Sequence, residues 1–178
     1  MPGATFLEGD DVELCTFEPE DAAFLTEAVN DPAVRQSLGV AEPRSRQHHE
    51  EWIEEEVEGG EGTTLLVVAD GDPVGVLNTV WVAERAGHVI LSAWIAADAQ
   101  GRGYGSDATS AFVDYLFDER RMQSVRAEAY ETNEASNALL QSIGLERVGT
   151  IPDGGFVDGE HVDSHVYATT ADDWRARR

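Results

Sequence analysis

Apolar and polar residues alternate, run together or recur at helical spacing in a definite order along this chain. Leu7–Asp11 reads as a turn, and Val12, Leu14 and Thr16 then alternate with polar neighbours as in a half-buried strand. Glu18-Pro19-Glu20-Asp21 opens a helix, with proline near its first turn and Phe24, Leu25 and Val29 on one face; Asn30-Asp31-Pro32 ends it. Ala33 to Arg44 is weakly patterned and predicts a short helix and a loop. Ser45 to about Glu58 predicts another helix, with a narrow stripe of Trp52, Ile53 and Val57 and a glutamate-rich face; Gly59-Gly60-Glu61-Gly62 stops it. A three-strand meander follows. It consists of Thr64–Ala69, a turn at Asp70-Gly71-Asp72-Pro73, Val74 to about Val82, a turn at Glu84–Gly87, and Val89–Ile95. Ala108, Ala111, Phe112, Tyr115 and Leu116 then share a helical face. Val125–Tyr130 is a strand, Asn133 caps a helix over about Glu134–Ser142, and Gly144 closes it. Leu145–Ile151 is a strand, Pro152–Glu160 a loop, His161–Thr169 a last strand and Asp172–Arg178 a tail.

No linker, repeat or low-complexity block divides the 178 residues, so a single domain over 1–178 is expected, of α/β (α+β) type. No apolar run is long enough to cross a membrane, and the N-terminus has no signal-peptide pattern, so a cytoplasmic location is expected. Cys15 is the one cysteine, which excludes an intrachain disulfide; it reads as a small apolar strand residue. The net charge is −23, and all twelve basic residues are arginine. Such a surface repels phosphate backbones and argues against nucleic-acid partners. It suits concentrated salt, where the Debye length falls to about 3 Å at 1 M, and points to a salt-loving origin. His48 and His49 begin the glutamate-rich helix; a solvated face is the plainer reading of that run than a metal site, and no metal is expected.

Chemistry concentrates at Ala97–Ser106, where strand passes to helix through Gly101, Gly103 and Gly105. Glycine lets backbone N–H groups approach a ligand without a Cβ. A helix N-terminus adds unpaired donors and partial positive charge, so the combination is an anion site and a pyrophosphate its usual occupant. The Rossmann fingerprint fits poorly: its glycine spacing differs, and it requires an early parallel unit where this chain has a meander.

The stretch resembles the pyrophosphate motif of the GNAT N-acetyltransferases, Gln/Arg-x-x-Gly-x-Gly/Ala, here Gln100, Gly103 and Gly105, with Arg102 at the usual basic position. Asn133-Glu134-Ala135-Ser136-Asn137, then Leu139-Leu140 and Ile143-Gly144-Leu145, is similar to the family's Asn-x-x-Ser helix ending in a Gly-Phe pair. Leu7-Glu8-Gly9, Val12-Glu13-Leu14, Pro19-Glu20-Asp21 and Asn30-Asp31-Pro32 resemble the opening of the RimJ/RimL-type branch. The resemblance implies a GNAT-like fold: a mixed, mostly antiparallel seven-stranded sheet, splayed open between Val89–Ile95 and Val125–Tyr130, with about four helices. It also implies acetyl-CoA as co-substrate. Backbone groups of Trp94, Ile95 and Ala97 would pair with the pantetheine arm. Gln100, Gly101, Arg102, Gly103, Tyr104, Gly105 and Ser106 would hold the pyrophosphate, and Asn133 and Ser136 would meet the pantetheine.

The implied reaction is attack of a neutral amine on a thioester. The position where the family often carries a base or water-holding glutamate is Ile90, and that of its tyrosine acid is Leu140. Ser136 is then the candidate acid or thiol-binding group, Glu128 a candidate base and Ser92 a further polar group beside the cleft; Asn78, His161 and His165 stand on strands near it. His161 and His165 make an unconvincing zinc pair, because four strand residues span about 13 Å. The resemblance implies a protein α-amino group as acceptor. Alternatives are a small amine such as an amino acid, polyamine or drug, or a non-catalytic acyl-CoA-binding module favoured by the absent Glu and Tyr. A homodimer is compatible with this class.

Overall fold

The structure, a computed structural model, describes residues 2–57, 59 and 62–177. Its sheet has eight strands in the order β1-β2-β3-β4-β5-β6-β8-β7, and the β5–β6 pair is parallel among antiparallel neighbours. These are β1 (Thr5–Glu8), β2 (Glu13–Cys15), β3 (Thr64–Ala69), β4 (Asp72–Ala83), β5 (His88–Ile95), β6 (Ser124–Tyr130), β7 (Glu146–Val157) and β8 (Glu160–Thr170). The α-helices among the described residues are α1 (Ala22–Asn30), α2 (Pro32–Ser37), α3 (Arg46–Trp52), α4 (Tyr104–Asp118), α5 (Glu134–Ser142) and α6 (Ala171–Ala176). The chain divides into two compact units, Met1–Asn78 with Ala93–Ala111, and Thr79–Ser92 with Phe112–Arg178.

In the first unit β3 is buried along nearly its whole length, as its unbroken apolar run requires. Cys15, Phe17, Ala22, Leu25, Ile53, Leu66, Val68 and Val76 form a core cluster, with Phe24, Trp52, Val57 and Trp94 packed on it. Burial pushes the Cys15 thiol up, so it acts as a small apolar group. The expected turn over Leu7–Asp11 is shorter than anticipated. Thr5, Leu7 and Glu8 pair with Cys15, Leu14 and Glu13, which gives the eighth strand. The expected helix from Ser45 to about Glu58 is α for Arg46–Trp52 and widens into one π-type turn over Ile53–Val57; Glu58, Gly60 and Glu61 lie outside the described residues. His49 is not on a solvated face. It is buried, its Nδ1 is 3.0 Å from Thr26 Oγ1, and that hydroxyl donates to the Ala22 carbonyl. Burial first, and then His48 and Arg44 nearby, lower its pKa from 6.5 to about 4.

In the second unit Phe112, Val113, Leu116 and Phe117 of α4 are buried, as are Val89, Leu91, Val125, Ala127, Ala129 and Tyr167 of the strands. Leu140 is buried too, a core side chain on α5. Two expectations need correction. β7 does not end at Ile151 but runs through Pro152 to Val157; the extra residues leave the ladder between Ile151↔Ser164 and Gly155↔Val162, with Asp153 at φ 51°. A terminal strand with a bulge is where proline is tolerated. The expected tail contains α6, capped by Thr170 and anchored by the buried Trp174, whose Nε1 donates to Asp114 at 2.7 Å.

Candidate functional site

The glycine loop lies wholly in the first unit. β5 ends at Ile95, the Ala96 amide donates to the Val74 carbonyl at 2.8 Å, and Ala97–Ala99 make one 3-10 turn pinned by buried Ala99. Gln100 then folds back, and its Nε2 donates to the Ile95 carbonyl at 2.9 Å. The side chain therefore closes the loop and occupies a strand-end acceptor that the pantetheine reading left open. Gly101 and Gly103 have φ of 75° and 88°, where L side chains are strained, and a Cβ on either meets nothing within 4 Å. Both glycines are needed for backbone direction, in a loop open to a ligand. Tyr104 begins α4, Gly105 follows with its carbonyl taking the Thr109 hydroxyl at 2.7 Å, and the Ser106 amide turns back to the Gly103 carbonyl at 3.0 Å.

The amides of Gly101, Arg102, Gly103 and Tyr104 have no acceptor among the described residues. Successive free amides at positive-φ glycines, leading into a helix of 15 residues, form an anion-binding concavity. Arg102 is exposed, with Nη2 3.3 Å from the Asp98 carbonyl, and is the cation this loop carries. The residues present thus fit a pyrophosphate. Trp94 is half-buried and stacks on Phe24, ring centroids 5.8 Å apart at 17°. Gly75 lies against the Trp94 and Ile95 backbone so closely that a Cβ has no room, so this stretch of β5 is held flush to β4.

Asn78 also lies in the first unit, paired with Thr64 of β3, and the remaining candidates belong to the second. β5 and β6 pair through His88↔Ser124, Val89↔Val125 and Ile90↔Arg126, and the ladder stops there. Among the described residues, β6 continues to Tyr130 paired with β8 alone. Ser92 and Glu128 each come two residues after the last pair, on the face that Ile90 and Arg126 share. The structure brings these two candidates to one side of adjacent strands. Glu128 is exposed, 3.3 Å from Arg126 Nη2, an exposed pair of small energetic weight.

Asn133 caps α5: its Oδ1 accepts the Ser136 amide at 3.0 Å, and its Nδ2 has no acceptor among the described residues. One side chain can therefore cap the helix and still donate to a ligand. Ser136 is half-buried on the first turn. His165 Nδ1 lies 2.8 Å from Asn137 Oδ1, whereas His161 is exposed against the Phe156 ring. Asn137, which also bonds the buried Tyr167, and Asp107 carry no signal of their role in the sequence. Each makes contacts that no local spacing encodes.

Residues 11–146 match the sequence model of the family described as acetyltransferase (GNAT) domain. The chain is 23% identical over 170 residues, 96% of each chain, to the SPbeta prophage-derived uncharacterized N-acetyltransferase YokL of Bacillus subtilis (strain 168). Among solved structures it is similar to RimL, ribosomal L7/L12 alpha-N-protein acetyltransferase in complex with coenzyme A. The TM-score is 0.82 at 18% identity, over 90% of this chain and 94% of that one. It is also similar to a chimera of the spermidine N-acetyltransferase SpeG from Vibrio cholerae and hSSAT, with a TM-score of 0.83 at 15% identity, over 93% and 99% of the two chains.

Proposed function

The chain belongs to the GNAT acetyltransferase family and is an acetyl-CoA-dependent N-acetyltransferase, and from that premise we propose that its acceptor is the α-amino group of a protein N-terminus. The family match runs through both compact units, which supports reading 1–178 as one acetyltransferase domain. The observation that carries the acceptor reading is the end of the β5–β6 ladder after Ile90 and Arg126. Beyond it, among the described residues, β6 has one free edge, which suits an extended peptide better than a compact amine, because strand-like backbone bonds can hold it. The RimJ/RimL-type motifs of the N-terminal third and the likeness to RimL support the same acceptor.

Acetyl-CoA supplies the acyl group as a thioester. The attacking amine must be neutral, and an α-amino group, with a pKa near 8, gives up its proton far more readily than a lysine near 10.4. A backbone N–H at the end of β5 stabilises the developing oxyanion. Glu128 and Ser92 hold the water that takes the amine's proton as the N–C bond forms and the C–S bond breaks. Ser136 donates to the departing sulfur, whose thiol pKa near 8.5 asks for modest help. The strand-end backbone of Trp94, Ile95 and Ala97 orients the pantetheine arm. Gln100 acts through the loop it closes.

One observation favours a second acceptor, a small cationic amine. Pro19, Glu20, Arg46, Glu50, Ile53 and Glu54 line a cavity of about 400 Å³, and Arg46 offsets one of its three carboxylates, at 2.9 Å from Glu50. Thiol release from acetyl-CoA, followed with peptides bearing free or blocked N-termini and with spermidine, decides between them. Turnover is expected with free N-termini and not with blocked ones. Turnover with spermidine alone overturns the protein-acceptor reading.

A cytoplasmic site of action and a saline habitat complete the proposal. No helix among the described residues is long and apolar enough to cross a membrane. With a net charge of −23, self-repulsion destabilises the fold in dilute buffer and is screened by salt. The melting temperature should rise by about 10 °C between dilute buffer and 2 M KCl, which corresponds to roughly 3 kcal/mol at this size. A fall over that range counts against the saline assignment.

A further inference from the structure

Asp107 presents a puzzle at the glycine loop. It lies in the first turn of α4, where its charge would oppose a bound pyrophosphate. Its carboxylate is instead occupied by the turn between β1 and β2. The Asp10 amide donates to Oδ1 at 2.9 Å, and those of Asp11 and Val12 to Oδ2 at 2.7 and 3.1 Å. Gly9 belongs to the same contact, since a Cβ there would sit 2.6 Å from Oδ2 and 2.7 Å from Oδ1. The Gly9 amide returns to the Val12 carbonyl at 2.8 Å, so the turn folds into a cup of N–H groups around one carboxylate. On the other side, the Asp107 amide donates to the Gly103 carbonyl at 3.1 Å. A continuous line of hydrogen bonds thus joins the N-terminal hairpin to the peptide that opens the phosphate loop.

We propose that Asp107, clamped by Gly9–Val12, is a positioning residue for coenzyme binding. Three charge-assisted bonds from amides absorb its charge. The same bonds fix the start of α4 and the direction of the Gly103 peptide, so the amides of 101–104 converge on an anion without rearranging. This rests on the reading that the loop takes the coenzyme's pyrophosphate.

The test uses the full chain, with CoA affinity measured by titration calorimetry and steady-state kinetics at varied acetyl-CoA. Asp107→Asn puts an amide NH₂ against N–H donors and should weaken CoA binding about tenfold, with the effect on KM for acetyl-CoA rather than on kcat. Gly9→Ala disturbs the same contact from the hairpin side and should do the same, so the inference stays testable where one variant folds poorly. Asp31→Ala, which removes the cap bonded to the Ala33 amide at 2.8 Å, should lower Tm and leave CoA affinity unchanged. That control separates positioning from lost stability. Unchanged CoA affinity in folded Asp107→Asn and Gly9→Ala overturns the inference. Gly103→Glu, measured alongside, shows which claim has failed. Loss of binding in that variant alone leaves the loop reading standing without the clamp, and no loss in any of them removes both.

Discussion

Gly103→Glu should abolish measurable acetyl-CoA binding, a loss of more than about 100-fold, while the far-ultraviolet circular dichroism of the protein stays unchanged. Gly103 has φ 88°, and a Cβ there meets no atom within 4 Å, so the substitution creates no clash. Its structural cost is the left-handed backbone, about 1–2 kcal/mol for a residue with a Cβ. At this chain length that is a fall in Tm of several degrees. The functional cost is far larger. The new carboxylate emerges among the free amides of 101–104, where the coenzyme's anion is proposed to sit, and it both repels that anion and competes for its donors. Gly103→Ala separates the terms, since it carries the backbone strain without the charge and should bind about tenfold more weakly than the native protein. Titration calorimetry with CoA checks both variants. Native affinity in Gly103→Glu would remove the loop from the binding site.

That loop was legible in the sequence because its determinants are local. Two left-handed positions ask for glycine, and the helix that follows announces itself by its apolar face. The meander, the helix start at Ser45 and the cap at Asn133 were legible for the same reason. What the sequence hid depends on partners distant along the chain. Thr5–Glu8 has too few residues to show a strand period and becomes one by pairing with Glu13–Cys15. Pro152-Asp153-Gly154 has the composition of a loop, yet the bulged terminal strand absorbs it. His49 sits among glutamates, and its burial is set by Thr26 on another helix. At the site, the glycines and Asn133 could be named, but the return of Gln100 to Ile95 and the clamp between Asp107 and the Gly9–Val12 turn are tertiary facts. Ser92 and Glu128 were nameable only as polar strand residues. The register that stops at Ile90↔Arg126 is what puts them on one face of the two strands.

Asn137→Leu should destabilise the second unit by about 3–4 kcal/mol, given what one side-chain amide satisfies there. Its Nδ2 donates to the Tyr130 carbonyl at 2.8 Å and to the Asn133 carbonyl at 2.7 Å, which uses both protons and settles which end is oxygen. Oδ1 then accepts the Tyr167 hydroxyl at 2.7 Å and His165 Nδ1 at 2.8 Å. His165 therefore carries a proton on Nδ1. Tyr167 is fully buried and also accepts from Gln141 Nε2 at 3.1 Å. Leucine keeps the branching of asparagine at Cγ with a larger volume, so the cost is chiefly polar, with some overpacking added. The two carbonyls keep their backbone donors, the Asn133 and Asn137 amides at 2.9 and 3.0 Å, whereas the Tyr167 hydroxyl proton is left without an acceptor in the core. An orphaned buried donor costs about 1–3 kcal/mol, and the lost bonds add about 1 kcal/mol each. Tyr167→Phe on the Asn137→Leu background removes the orphan and should recover about 1–2 kcal/mol, so the two substitutions are coupled rather than additive. Urea unfolding of the single and double variants measures this directly. A cost below about 1 kcal/mol for Asn137→Leu, or additive behaviour of the pair, would mean that Asn137 does not hold α5 to β6 and β8.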